Sequence, residues 1–199
     1  PEIAQRLPQQ NLDFDGELRN ACVMFLDIRG FSRIAAGKTP QEIMLYLNTL
    51  FGELIDVVNA HRGIVNKFLG DGFMAVFGAP AADTDKIPHA YHAALAILER
   101  IEALNRSGAI PPTRVGIGLH AGQLITGNVG TQTRKEYTLV GETVNLAARI
   151  EQATKDFDAR LLISESVWNK LPNPPADAVD LGPVELRGQS RPVRLFKLA

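Results

Sequence analysis

VNKFLGDGFMAVFG, residues 65–78, holds two apolar runs around Gly70-Asp71-Gly72. Such runs, broken by a Gly-Asp-Gly, predict a hairpin with strands over 64–69 and 73–77. Two charges interrupt it: Asp71 at the tip and Lys67 on the approach. Taken alone, Asp71 is a turn residue and Lys67 an edge-strand lysine. The glycines on either side of Asp71 also permit positive φ and close approach of a ligand to the backbone.

A second aspartate undercuts that simple reading. ACVMFLDI, residues 21–28, is a short apolar run that predicts a buried strand with Asp27 at its end. A turn role cannot explain an aspartate that closes ACVMFL. Helical spacing recurs at 43, 47, 50, 51, 54, 57 and 58, behind a Thr39-Pro40 start with Thr39 as N-cap. Further helices are expected over 88–105 and 141–154, and a short one in FSRIAA after Gly30. Residues 113–122 and 123–130 read as two strands joined by a tight turn. A strand over 159–164, a Pro-rich loop at 172–175 and two closing strands complete the chain.

That order predicts an α+β fold: a ferredoxin-like, palm-like, mainly antiparallel mixed sheet with helices on one face. In such a sheet the first strand lies beside the hairpin, so the carboxylates of Asp27 and Asp71 meet. Mg²⁺ and its relatives take one or two carboxylates plus substrate phosphates, and the Ile28 carbonyl is a plausible extra ligand.

Composition narrows the partners. The chain has 199 residues, 45% hydrophobic, with a net charge of −1. One domain over 1–199 is expected, with 1–20 as a linker remnant. The charge gives no general attraction to nucleic acid or to an anionic membrane surface. The lone Cys22 excludes an internal disulfide and, in its apolar run, reads as a packed thiol. No signal peptide and no apolar run near 18 residues is evident. The chain starts at Pro1, not Met, which suggests a fragment whose upstream regulatory domain is missing.

FLDIRGFS (25–32), NKFLGDGFMAVFG (66–78) and YTLVGETVNLAARIE (137–151) resemble, in order and spacing, three signature segments of class III nucleotidyl cyclase catalytic domains. The resemblance runs from about residue 20 to the end. It implies that Asp27 and Asp71, with Ile28, hold two Mg²⁺ or Mn²⁺ ions for in-line phosphoryl transfer. It implies that Asn145 orients the ribose and that Arg149 stabilises charge on the α-phosphate; four apart, they share a helix face. Helix amides from Phe31 onward would cradle phosphates.

The resemblance assigns base choice to Lys67 and Thr138. An ammonium suits adenine N1 and confronts the N1–H of guanine, and a hydroxyl can accept from the 6-amino group. The Lys/Thr pair is most like that of class IIIb adenylate cyclases, so ATP is the expected substrate. Gln123 and Gln189 depart from basic residues of some members, and Arg187 or Arg191 would substitute at the phosphates. Four extended residues span only about 13 Å, so Lys67 and Asp71 of one chain cannot easily serve both ends of one nucleotide. The resemblance answers with a head-to-tail homodimer in a cytoplasmic setting. A guanylate cyclase and a silent nucleotide-binding dimerisation module are the alternatives. GDGFM is not the GGDEF turn of a diguanylate cyclase, and Arg29 stands where an aspartyl phosphatase wants a second acid.

Overall fold

The computed structural model describes residues 16–199; the expected linker over 1–15 lies outside them. Residues 17–20, expected as linker, instead begin the first strand, β1 (Glu17–Ile28). They pair with residues 123–126 of a neighbouring strand, which extends the ladder beyond the apolar run.

The remaining elements are α1 (Phe31–Ala35), α2 (Pro40–Ala60), β2 (Gly63–Phe68), β3 (Gly72–Phe77), α3 (Lys86–Ser107), β4 (Val115–Thr131), β5 (Arg134–Val140), α4 (Glu142–Ala153), β6 (Leu161–Ser164), α5 (Glu165–Trp168), β7 (Val179–Val184) and β8 (Val193–Lys197). They form a mixed, mainly antiparallel sheet in the order β2-β3-β1-β4-β6-β8-β7, with β5 paired to β4. The first four strands of that path are the expected ferredoxin-like arrangement, and β4–β6 is the parallel pair.

α2 starts where Thr39 and Pro40 predict. The Thr39 hydroxyl accepts from the Glu42 amide, and the Glu42 carboxylate accepts from the Thr39 amide. That capping box satisfies two end groups. α2 is apolar and long enough to cross a membrane, yet Tyr46, Leu50, Leu54 and Val58 pack it into the core. Cys22, Met24, Leu26 and Ile28 face α2 and α3 from β1. Burial pushes the Cys22 thiol up to about 12, which fits a packing role.

Three expectations change. Helices cover both faces of the sheet, because the alternate residues Ala21 and Val23 of β1 meet Ala147 of α4 in a second cluster. A strand buried on both sides must be covered twice. Residues 113–130 are not two strands around a tight turn; β4 runs straight through, and Gly122 and Gln123 keep pairing with Ala21 and Asn20. The reversal comes at residues 132–133, and β5, not expected, returns along β4. The glycines that suggested a turn make room for α4: a Cβ at Gly122 would meet the Thr143 hydroxyl, and one at Gly118 the Glu151 backbone. α3 begins before Pro88 because proline is tolerated in the first helical turn.

Candidate functional site

The hairpin and β1 bring the two aspartates together. β3 pairs with β1 so that Asp27 stands opposite Gly72, and the Ile28 amide donates to the Asp71 carbonyl at 2.9 Å. Gly70 takes φ 73°, the left-handed conformation the turn needs. Gly72 has a different task, because a Cβ there would strike the Leu26 carbonyl and so force β3 away from Asp27.

Asp27 is pushed up to about 6, first by burial, then by its hydrogen bond to Asp71 and the charge of that residue. Two carboxylates brought together at a strand end offer hard oxygen donors to a cation. Among the described residues, no group of three or more His, Cys, Asp and Glu side chains is arranged to hold a metal by itself. Two hard oxygen donors with room for others suit an ion that keeps water or substrate phosphate in its shell.

A pocket beside Asp27 is lined by Phe25, Gly72 and, from the helix across, Ala148, Glu151, Gln152 and Lys155. Sequence reasoning missed Glu151. It is 6% exposed, and its Oε1 has no hydrogen-bond partner. Burial, then the charge of Asp27, pushes it up to about 7. The signal was available: Glu151 is four residues after Ala147, on the inward side of α4.

Asn145 and Arg149 are not among the residues lining that pocket. The Arg149 guanidinium donates to the Gln152 amide oxygen at 3.2 Å. It also lies 4.0 Å from where a Cβ would stand on Gly188. Arg149 therefore faces the 185–192 loop, which carries the exposed Arg187 and Arg191 around a small cleft. The Gln189 amide in that loop donates to the Glu142 carboxylate at 2.6 Å. Phe31 opens α1, a five-residue helix directly after the Asp27 strand end, and its first amides lack intrahelical partners.

Lys67 and Thr138 come from strands that are not neighbours in the sheet. Pairing between β2 and β3 shifts between Val65 and Lys67, so Lys67 stands opposite Met74. Met74 belongs to the α4-side cluster, which Tyr137 of β5 also joins. The Thr138 hydroxyl donates to the Glu136 carbonyl at 3.3 Å, which leaves its oxygen as an acceptor.

Known proteins place this geometry in context. The family model for the adenylate and guanylate cyclase catalytic domain matches residues 15–198. An uncharacterised protein of Mycobacterium tuberculosis is 38% identical over 195 residues, which is 98% of this chain and 34% of the relative. This chain thus spans about a third of the length of the curated relatives it matches. The crystal structure of the adenylyl cyclase CyaB from P. aeruginosa superposes with a TM-score of 0.80 at 26% identity, over 93% of this chain and 96% of that one. The guanylyl cyclase Cya2 superposes with a TM-score of 0.81 at 27% identity, over 92% and 93%.

Proposed function

The chain belongs to the adenylate and guanylate cyclase catalytic-domain family, and from that premise we propose that it converts ATP to 3′,5′-cyclic AMP and pyrophosphate at sites shared between two copies of itself. Asp27 and Asp71, with the Ile28 carbonyl, would hold two divalent ions, Mg²⁺ or Mn²⁺. Bound there, such ions would acidify the ribose 3′-hydroxyl and neutralise the leaving pyrophosphate. Asn145 orients the ribose. Arg149 offers a fixed guanidinium to the charge that develops on the α-phosphate. The Phe31 and Ser32 amides, with Arg187 or Arg191, bind the remaining phosphates.

The Thr138 hydroxyl carries the choice of ATP. With its proton engaged by the Glu136 carbonyl, its oxygen can accept from the adenine 6-amino group and has no proton for guanine O6. Lys67 donates to adenine N1 and repels the N1–H of guanine. The Lys/Thr pair also supports the class IIIb reading.

The shared site rests on the split of α4. In one chain the pocket beside Asp27 is lined by Glu151, and neither Asn145 nor Arg149 lines it. Exposed apolar side chains include Met44 and Leu45 on α2, Phe68 and Leu69 at the hairpin, and Val129 and Val140 on the β4–β5 arm. A head-to-tail homodimer would cover them and complete two equivalent sites. Because nucleoside triphosphates are intracellular, we place the domain in the cytoplasm. In a protein as long as its relatives, another domain would regulate it.

Turnover of ATP and of GTP, measured against protein concentration with Mg²⁺ and with Mn²⁺, tests this reading. Cyclic AMP formation that rises more steeply than first order in protein supports it. Cyclic GMP alone would make this a guanylate cyclase. No product at any concentration would leave a nucleotide-binding dimerisation module.

A further inference from the structure

Lys67 reaches its position through a defect in the sheet. Val65 of β2 stands opposite Ala75, and both pack on the α2 side. Regular pairing from there would put Lys67 opposite Phe73, whose ring is fully buried against Phe51 of α2. A lysine there would lie along that ring on the face covered by α2, pointing away from β5 and α4. Instead Asn66 is an extra residue, and Lys67 pairs with Met74 while Phe68 pairs with Phe73. One added residue flips a side chain to the opposite face. Lys67 is thereby delivered to the side where β5 and α4 lie, and Phe68 reaches Phe51, with ring centroids 5.7 Å apart.

The extra residue is itself tied down. The Asn66 side-chain amide donates to the Tyr137 carbonyl at 3.1 Å, across 71 residues of sequence. Asn66 immediately precedes Lys67, and Tyr137 immediately precedes Thr138. The bond therefore fixes two strands that have no shared ladder, one step before each base-reading side chain. A hydrogen bond of this kind holds the bulge in register, and with it the separation of ammonium and hydroxyl.

We propose that Asn66 is a positioning residue for base discrimination: its bond to β5 holds the bulge that aims Lys67 toward the same base edge as Thr138. The proposal rests on the assignment of Lys67 and Thr138 to the base pocket. It concerns alignment, since Asn66 need not touch the nucleotide.

The test compares Asn66→Ala, Asn66→Gln and Lys67→Ala for kcat/KM with ATP and with GTP, alongside Mn²⁺ affinity. Asn66→Ala should lower the ATP-to-GTP ratio by about tenfold, which is the scale of losing one aligned hydrogen bond. Mn²⁺ affinity should stay within about twofold, because β1 and the hairpin tip are untouched. Asn66→Gln keeps an amide donor and should recover part of the ratio. If Asn66→Ala preserves the ratio while Lys67→Ala collapses it, the positioning role is wrong and the base assignment stands. If Lys67→Ala also preserves it, the base assignment fails and the inference falls with it. Should Asn66→Ala melt below the assay temperature, the nearly isosteric Asn66→Asp, which has no amide proton to donate, carries the same readout.

Discussion

The metal end and the base end of the candidate site are built in opposite ways. Asp27 sits on a central strand with β3 on one side and β4 on the other, and its carboxyl is held by burial and by Asp71. Lys67 is exposed on the edge strand β2, and Thr138 lies on β5, which pairs with β4 alone. Both aspartates of the first end come from one chain. The second presents its groups outward, beside the exposed Phe68 and Leu69. On the proposed reading, the rigid half serves the chemistry and the edge half reads the substrate, so the two halves should fail separately when changed.

The largest break is the separation of the halves onto different chains. Asp71→Ala and Arg149→Ala should each lower turnover by at least about 100-fold, the usual cost of removing one group that stabilises transition-state charge. Mixed in equal amounts, the two inactive variants should regain about a quarter of wild-type activity. Half of the dimers are then mixed, and each mixed dimer holds one site free of both lesions. Activity that stays at the sum of the two variants would place both halves of the site in one chain.

The base end can be broken alone. Lys67→Glu with Thr138→Cys removes the ammonium and the hydroxyl acceptor, and should shift the kcat/KM ratio toward GTP by about 10–100-fold. Binding of Mn²⁺, followed by calorimetry, should be unchanged. An unaltered preference for ATP would contradict the assignment of these two residues.

These two ends were not equally legible in the sequence. The meeting of Asp27 with Asp71 could be read because it follows from the order of strands. The surroundings of Lys67 could not be read. A bulge is a property of pairing, and VNKF shows no sign of the extra residue. β5 was missed because the glycines near 122 suggested a reversal, whereas they are spaces for α4 to approach the sheet. Helices on both faces follow from the same cause, since only β1's alternate residues, packed on α4, reveal the second face. The Arg187–Arg191 loop remained ambiguous because both arginines are exposed and no contact distinguishes them.

A smaller effect sharpens the metal end. Asp27 carries a proton below about 6, and a divalent ion must displace it. Mn²⁺ affinity should therefore be level above that value and fall by about tenfold for each pH unit below it. Proton release on binding, measured by calorimetry in two buffers, should appear over the same range. Affinity that declines only near pH 4, where an ordinary aspartate titrates, would mean that burial and the Asp71 charge do not raise Asp27.

The least disruptive change is Glu151→Gln, in the pocket beside Asp27. Burial raises this carboxyl to about 7 in the folded protein, against 4.5 for an ordinary glutamate. The folded state therefore binds a proton that the unfolded state releases between those values. Its stabilisation is full below about 4.5 and is lost as pH rises through about 7. Glutamine keeps the shape and carries no charge. In metal-free protein the variant should gain on wild type as pH rises from 5 to 8, by on the order of 1–3 kcal/mol, read as a widening gap between the two Tm curves. Parallel curves would show that Glu151 is solvated or paired in solution, and would remove it from the surroundings of Asp27. A gap that closes on adding Mn²⁺ would instead tie this carboxyl electrostatically to the aspartate pair, because a cation held there favours its ionised form.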